Sequence, residues 1–203
     1  MIVYRICHTL SRVFGAVFFR LRVHGREHMP ESGGALIVSN HVSFLDPPLI
    51  GCAYRQPIFY LARKTLFKGP LAWLLPRIQV IPVDQGKADM AGLKRVLAML
   101  KSGHRVLLFP EGTRSPDGSL QAAEAGVGFI IAKCGTPVIP TRIFGAHEAF
   151  PRHSKFPRPG RVHVVSGPPV DFSTIPAGLS GRELYEAYAA TVMLAIGRLQ
   201  DTR

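Results

Sequence analysis

The chain has 203 residues, 47 % of them hydrophobic and 19 % charged, which fits one α/β domain with a sizeable core and excludes wholesale disorder. Its 25 Lys and Arg against 13 Asp and Glu give a formal net charge of +12, so an anionic partner is expected: nucleic acid, an anionic membrane or a phosphorylated substrate. Cys7, Cys52 and Cys134 are odd in number, far apart and free of any C-x-x-C pair, which argues against a disulfide framework or a zinc site and fits a reducing, cytosolic setting.

Along residues 2–21, Val3, Ile6, Cys7, Leu10, Val13, Phe14, Val17, Phe18 and Leu21 recur at three- and four-residue steps, with Arg5, His8, Thr9, Arg12 and Arg20 opposite them. The longest run without a charge, 13–19, is too short to span a bilayer, and Arg12 interrupts any signal-peptide pattern. A helix with such a stripe either covers its own protein's core or lies in a membrane interface. The breadth and aromatic content of the stripe, with its flanking arginines, favour the interface. Residues 1–24 are therefore read as an amphipathic membrane-associating helix on the cytoplasmic face of a membrane, and 25–203 as the folded domain.

From residue 35 onward, apolar and β-branched runs alternate with helical patterns. Residues 35–39, 57–62, 78–83, 106–109, 138–144 and 161–166 read as strands. Residues 88–102 read as a helix with Met90, Leu93, Val96, Leu97 and Leu100 on one face, stopped by Gly103. A second helix, 124–133, is closed by Gly135. Ser180-Gly181-Arg182-Glu183 has the form of a capping box opening a last helix that ends near residue 200. The Pro- and Arg-rich stretch 151–160 reads as a loop. The expected fold is a single α/β domain with a mostly parallel central sheet flanked by helices, plus the N-terminal helix.

Two strand ends carry chemistry. Directly after the run 35–39 stand Asn40 and His41, with Asp46 five residues beyond the histidine. Histidine titrates near neutral pH and can take a proton from a hydroxyl, and an aspartate on its other ring nitrogen fixes the tautomer and stabilises the imidazolium. The same Asp46, ahead of Pro47-Pro48, also looks like a helix N-cap followed by N1. On a regular helix the two side chains would diverge by roughly 140°, so they meet only if 42–45 form an irregular turn and Asp46 opens the next helix.

The second strand end is Phe109-Pro110-Glu111-Gly112-Thr113-Arg114-Ser115. Gly112 allows a tight turn, Thr113 and Ser115 offer hydroxyls, and Arg114 offers a planar fork suited to phosphate oxygens. Ligands collect outside the carboxyl ends of strands in open α/β sheets, so the two strand ends can share one crevice. Alone, the second stretch also reads as an ordinary strand exit into a Ser-Pro-Asp-Gly turn.

At these residues the chain resembles the glycerolipid acyltransferases of the lysophosphatidic acid acyltransferase group. Asn40-His41 through Asp46 is similar to that family's NHx4D motif, and residues 109–115 to its FPEGTRS block. Residues 63–68 with Ile81-Pro82-Val83-Asp84 resemble the second block, and Val138-Ile139-Pro140 the fourth. The resemblance implies transfer of a fatty acyl group from acyl-CoA or an acyl-carrier protein to the free hydroxyl of a lysophospholipid, most simply lysophosphatidic acid, without an acyl-enzyme, cofactor or metal. Position by position it implies His41 as the base, Asp46 as its holder, and Glu111, Gly112, Thr113 and Arg114 as the acceptor-binding loop. A glutamate beside a phosphate is electrostatically awkward, so Glu111 is expected to organise the loop by accepting from amides or pairing with Arg114.

The chain departs from the family pattern at Gln85, where arginine is common, and around Ala123 and Ala125, where a basic residue is common before the glycine. Both changes remove positive charge near the expected acceptor phosphate, which opens the acceptor to other lysolipids; Lys87, Arg77 or Lys64 with Lys68 are candidates to compensate. The loop cations Arg152, His153, Lys155, Arg158 and Arg161 read equally as a solvated surface or as contacts to headgroups or to the donor. Residues 66–76, with Trp73, read as a core segment or as the wall of an acyl channel. His104, His147 and His163 have no carboxylate at a telling spacing. A non-catalytic binder of an anionic membrane or of nucleic acid is the rival class; no nucleic-acid-binding motif is present, and that reading leaves His41 and Asp46 unexplained.

Overall fold

The computed structural model describes residues 2–84 and 90–201. Its centre is a seven-stranded sheet in the order β1-β7-β6-β2-β5-β3-β4. In chain order the strands are β1 (Arg22–His24), β2 (Ala35–Ser39), β3 (Ile58–Arg63), β4 (Val80–Val83), β5 (Arg105–Leu108), β6 (Val138–Phe144) and β7 (His163–Ser166). All neighbours are parallel except β6 and β7. The helices are α1 (Ile2–Phe19), α2 (Asp46–Gly51), α3 (Pro70–Arg77), α4 (Met90–Lys101), α5 (Ala125–Cys134), α6 (Ala146–Ala149) and α7 (Gly181–Arg198).

β2 and β5 are buried at every position, which is why they read as unbroken apolar runs: a parallel strand covered on both faces has no polar side to show. The period of two divides them between two cores. Ile37 and Leu107 face Phe19 of α1, Leu49 and Ile50 of α2, and Ala146 and Ala149 of α6. Leu36, Val38, Val106 and Leu108 face Val96 and Leu100 of α4, Ile130 of α5, and Val192 and Ile196 of α7.

This arrangement positions the site. The chain leaves β2 through α2 on one face toward β3, and leaves β5 through α5 on the other face toward β6. The two connections pass over opposite faces of the sheet and leave the carboxyl ends of β2 and β5, where ligands collect in open α/β sheets, next to each other. With Val38 in register with Leu108, Asn40-His41 and the Phe109–Ser115 stretch emerge side by side.

Several expectations shift. Strand 78–83 starts at Val80, because α3 runs to Arg77 and Gln79 takes a positive φ of 64°. Ser180 occupies the N-cap of α7 but makes no side-chain capping bond, so the box is present in spacing only. Residues 22–24, without a strand pattern of their own, pair with β7 as an edge strand. The expected start of the 88–102 helix lies partly outside the described residues, as do Gln85 and Lys87.

α1 is amphipathic in the expected sense. Tyr4, Gly15 and Phe19 are buried, whereas Ile2, Ile6, Leu10, Val13, Phe14 and Val17 are exposed. Among the described residues it is also the one helix long and apolar enough, by length and composition, to cross a membrane. α3, the core of the 66–76 stretch, buries none of its residues, and Trp73 points outward.

Candidate active site

Asn40 closes β2 by pairing with the backbone of β6: its amide nitrogen donates to Ile143 O at 3.0 Å and its oxygen accepts from Ile143 N at 2.8 Å. The chain then leaves regular structure, and residues 42–45 form the irregular turn that the His41–Asp46 spacing demands.

A single carboxylate oxygen organises that turn. Asp46 Oδ2 accepts from His41 Nδ1 at 2.8 Å, from Val42 N at 2.6 Å and from Ser43 N at 2.7 Å. Asp46 is fully buried, while the His41 side chain keeps 18 % of its surface. Because an ionised carboxylate only accepts, the ring proton belongs on Nδ1 and the Nε2 lone pair is left bare. The N-cap expectation is corrected here. Leu45 is the N-cap of α2 and Asp46 its first residue, with the carboxylate turned back onto the preceding turn instead of forward onto the helix amides. Capping and orienting fall to one carboxylate, but what it caps is the turn.

The β5 exit clamps the same histidine. Phe109 stacks on the His41 ring with centroids 4.0 Å apart and planes 16° from parallel. His41 N donates to Glu111 Oε1 at 3.1 Å, and Ser115 N donates to His41 O at 2.7 Å. Both sides of the His41 residue are thus bonded to the second loop. Burial pushes the Glu111 carboxyl up to about 7, partly offset by the amides of His41 and Gln121. Glu111 accepts from the amide of His41 on the other strand end, and no ion pair with Arg114 occurs.

Gly112 sits at φ +64°, and a Cβ there would lie 2.6 Å from Glu124 Cγ. Thr113 is exposed at the rim. The Arg114 guanidinium lies 3.7 Å above the Phe44 ring. Burial, then the charge of Arg152, lowers the Arg114 pKa; Asp46 opposes this and Arg63 adds to it. Arg63, Arg114 and Arg152 therefore share one positive field, and among the described residues no carboxylate lies within ion-pair distance of any of them.

Of the cations named from the sequence as candidates to compensate, Arg77 and Lys64 have partners of their own. Arg77 donates to Trp73 O and stacks on the Trp73 ring, Lys64 is paired with Asp84, and Lys87 lies outside the described residues. Arg152 belongs to the loop cations, but nothing in its spacing pointed to Arg114. His163 does have a carboxylate: its Nδ1 lies 3.0 Å from Asp201 Oδ1 near the chain end, on the side of the sheet where β7 begins. Cys52 donates to Pro48 O, and burial pushes its thiol up to about 12, a setting unlike that of a nucleophile.

Beside the crevice lies an apolar cavity of about 250 Å³. α1 contributes Tyr4 and His8, β3 contributes Tyr60, and Leu66 and Leu75 come from the 66–76 stretch. Pro47 and Pro48, directly after Asp46 in the chain, also line it.

The sequence profile of the acyltransferase family matches residues 20–144, a span that contains both strand ends. The chain belongs to the acyltransferase family. Its relatives include the chloroplastic 1-acyl-sn-glycerol-3-phosphate acyltransferase of Arabidopsis thaliana, 29 % identical over 172 residues covering 80 % of this chain and 48 % of that protein. The lyso-ornithine lipid O-acyltransferase of Pseudomonas aeruginosa is 30 % identical over 144 residues, covering 70 % of this chain and 54 % of that one. The chain thus spans about half the length of these relatives. Among solved structures, the 1-acyl-sn-glycerophosphate (LPA) acyltransferase PlsC from Thermotoga maritima superposes with a TM-score of 0.74 at 28 % identity, over 98 % of this chain and 81 % of that one. The mostly parallel sheet with an N-terminal apolar helix is this acyltransferase fold.

Proposed function

We propose that this acyltransferase moves a fatty acyl group from an acyl thioester, acyl-CoA or an acyl-carrier protein, to the free hydroxyl of lysophosphatidic acid. The observation that carries the reading is the bare Nε2 of His41, on a ring held by Asp46 and Phe109, beside the Arg114 guanidinium on the adjacent strand end.

The steps follow from those groups. His41 Nε2 takes the proton of the acceptor hydroxyl as its oxygen attacks the thioester carbonyl. Asp46, buried and 2.8 Å from Nδ1, stabilises the imidazolium that results. The tetrahedral intermediate collapses, the carbon–sulfur bond breaks, and the thiolate leaves with the proton from His41. A positioned base of this kind contributes a factor of about 10²–10⁴. No covalent enzyme intermediate is needed, in keeping with the inert setting of Cys52.

Arg114 takes the acceptor phosphate, with Arg63 and Arg152 supplying the field that Gln85 and Ala123 do not. An acyl chain fits the apolar cavity walled by Leu66 and Leu75. α1 lies in the membrane interface on its exposed apolar face, so that the lipid acceptor reaches the crevice from the bilayer. Glu111 acts through the His41 amide and does not touch substrate.

A second reading keeps the chemistry and changes the acceptor to another lysolipid. It is favoured by the basic residues missing from the family pattern and by the lyso-ornithine lipid enzyme among the relatives. The test is purified protein with acyl-CoA and a panel of lysolipids in mixed micelles. Highest kcat/KM on lysophosphatidic acid supports the first reading. Preference for a lysolipid without a phosphomonoester supports the second.

A further inference from the structure

Beyond α1, a second surface bears the marks of membrane contact. From residue 149 to residue 170 the chain carries Arg152, Lys155, Arg158 and Arg161 and no acidic residue. At the tip of this segment Phe156 is 78 % exposed, as open as any large apolar side chain described. A lone exposed phenylalanine is unremarkable on a protein surface. This one is held out by an ordered turn: Ser154 N donates to Pro151 O at 3.0 Å, Ser154 Oγ to Phe156 O at 2.8 Å, and Arg158 N to Ala149 O at 2.7 Å. Pro157 and Pro159 stiffen it further.

The two roots of the loop are bonded to α1 and to the histidine turn. Its far end is bonded to the last turn of α1, Gly160 N to Phe18 O at 3.3 Å and Val162 N to Phe19 O at 2.9 Å, where Phe14 and Val17 emerge. Its near end is bonded to the histidine turn, since Ser43 Oγ donates to Phe150 O at 2.8 Å and the Phe150 ring meets Phe44. Phe44 is itself half exposed under Arg114.

We propose that loop 151–160 is a second membrane-seating element, with Phe156 inserted among the lipid chains of an anionic bilayer and Lys155 and Arg158 on its headgroups. The occupant is set by charge complementarity, an all-basic segment against an anionic surface, and by continuity with the exposed face of α1. The inference rests on the reading of α1 as the membrane-seating helix. Two contacts, the exposed face of α1 and the tip of the loop, fix the tilt of the site toward the bilayer where one helix would leave it free to roll.

The experiment places tryptophan at the tip. The chain has a single tryptophan, so Phe156→Trp in a Trp73→Phe background reports from position 156 alone. Full-length protein is mixed with vesicles of phosphatidylcholine containing phosphatidylglycerol, and pelleting and fluorescence are read on one sample. The expected result is a blue-shifted emission quenched by brominated acyl chains. Lys155→Gln and Arg158→Gln should each weaken partition about fivefold, the equivalent of ~1 kcal/mol per basic residue at an anionic surface. Pelleted protein whose emission is unshifted and unquenched overturns the loop contact and leaves α1 as the seat. Protein that stays in the supernatant overturns both. A shift produced by an acidic carrier protein and not by vesicles assigns the loop to the donor and overturns the lipid proposal.

Discussion

His41 Nδ1 and the buried Asp46 Oδ2 lie 2.8 Å apart, and the same oxygen holds the amides of Val42 and Ser43. The orientation of the ring and the shape of the turn that carries it are therefore one interaction. Asp46→Asn should lower kcat by on the order of 10³–10⁴, because an amide neither stabilises the imidazolium nor enforces the Nδ1–H tautomer. Asp46→Ala should also lower stability by about 1–3 kcal/mol for each amide left without an acceptor. Steady-state kinetics beside thermal melts separate the two effects.

Glu111 gives a pH signature. Its carboxyl rises from 4.5 to about 7 on folding, so the native state holds a proton there that the unfolded chain has released. A raised carboxyl pKa destabilises as pH rises: stability is full below about 4.5 and declines until about 7. Glu111→Gln, which keeps an acceptor for the His41 amide, should flatten that decline in urea unfolding at pH 5 and pH 7. An unchanged slope would assign the pH dependence to other groups.

Arg152 is exposed, yet its charge reaches Arg114. Arg152→Gln should raise KM for lysophosphatidic acid about tenfold, the loss of one charge-assisted contact or its long-range counterpart, with kcat unchanged. KM for a zwitterionic lysolipid should not move.

Membrane binding by α1 is best tested without deleting it. Phe19 is fully buried and Tyr4 accepts from Ile58 N at 3.2 Å, so removing the helix opens the core. Ile6→Ser with Val17→Ser, both on the exposed face, should cut vesicle partition by roughly a hundredfold at ~1.5 kcal/mol per apolar side chain. The melting temperature should hold.

The sheet was legible where burial on both faces left an apolar run, as in β2, whose ends match the sequence reading residue for residue, as do those of the β-branched β6. α3 was not, because Pro70 and Pro76 bracket it. Pro70 falls in the first turn, where its missing N–H is harmless, and Pro76 lies so near the end of an eight-residue helix that it spoils little. The three-residue β1 is too short to show a period. Within the site, the histidine, the aspartate and the arginine were legible because they cluster at two strand ends. Asp46 stands one position past the N-cap of α2, which the sequence does not reveal, since Asp-Pro-Pro looks the same whether the carboxylate turns forward or back. Phe109 was visible only as a motif letter, although its ring is the floor under His41. The pairing of His163 with Asp201, and the reach of Arg152 to Arg114, join residues 38 apart in each case and left no local pattern to read.

His41 as the base is the proposal on which the other site roles depend. Its most direct test is the rate of acyl transfer from acyl-CoA to lysophosphatidic acid by His41→Ala, with folding checked by circular dichroism and membrane binding by vesicle pelleting. The expected protein is folded and vesicle-bound, with kcat lower by about 10²–10⁴. A folded His41→Ala protein that transfers acyl groups at the unsubstituted rate would contradict the proposal.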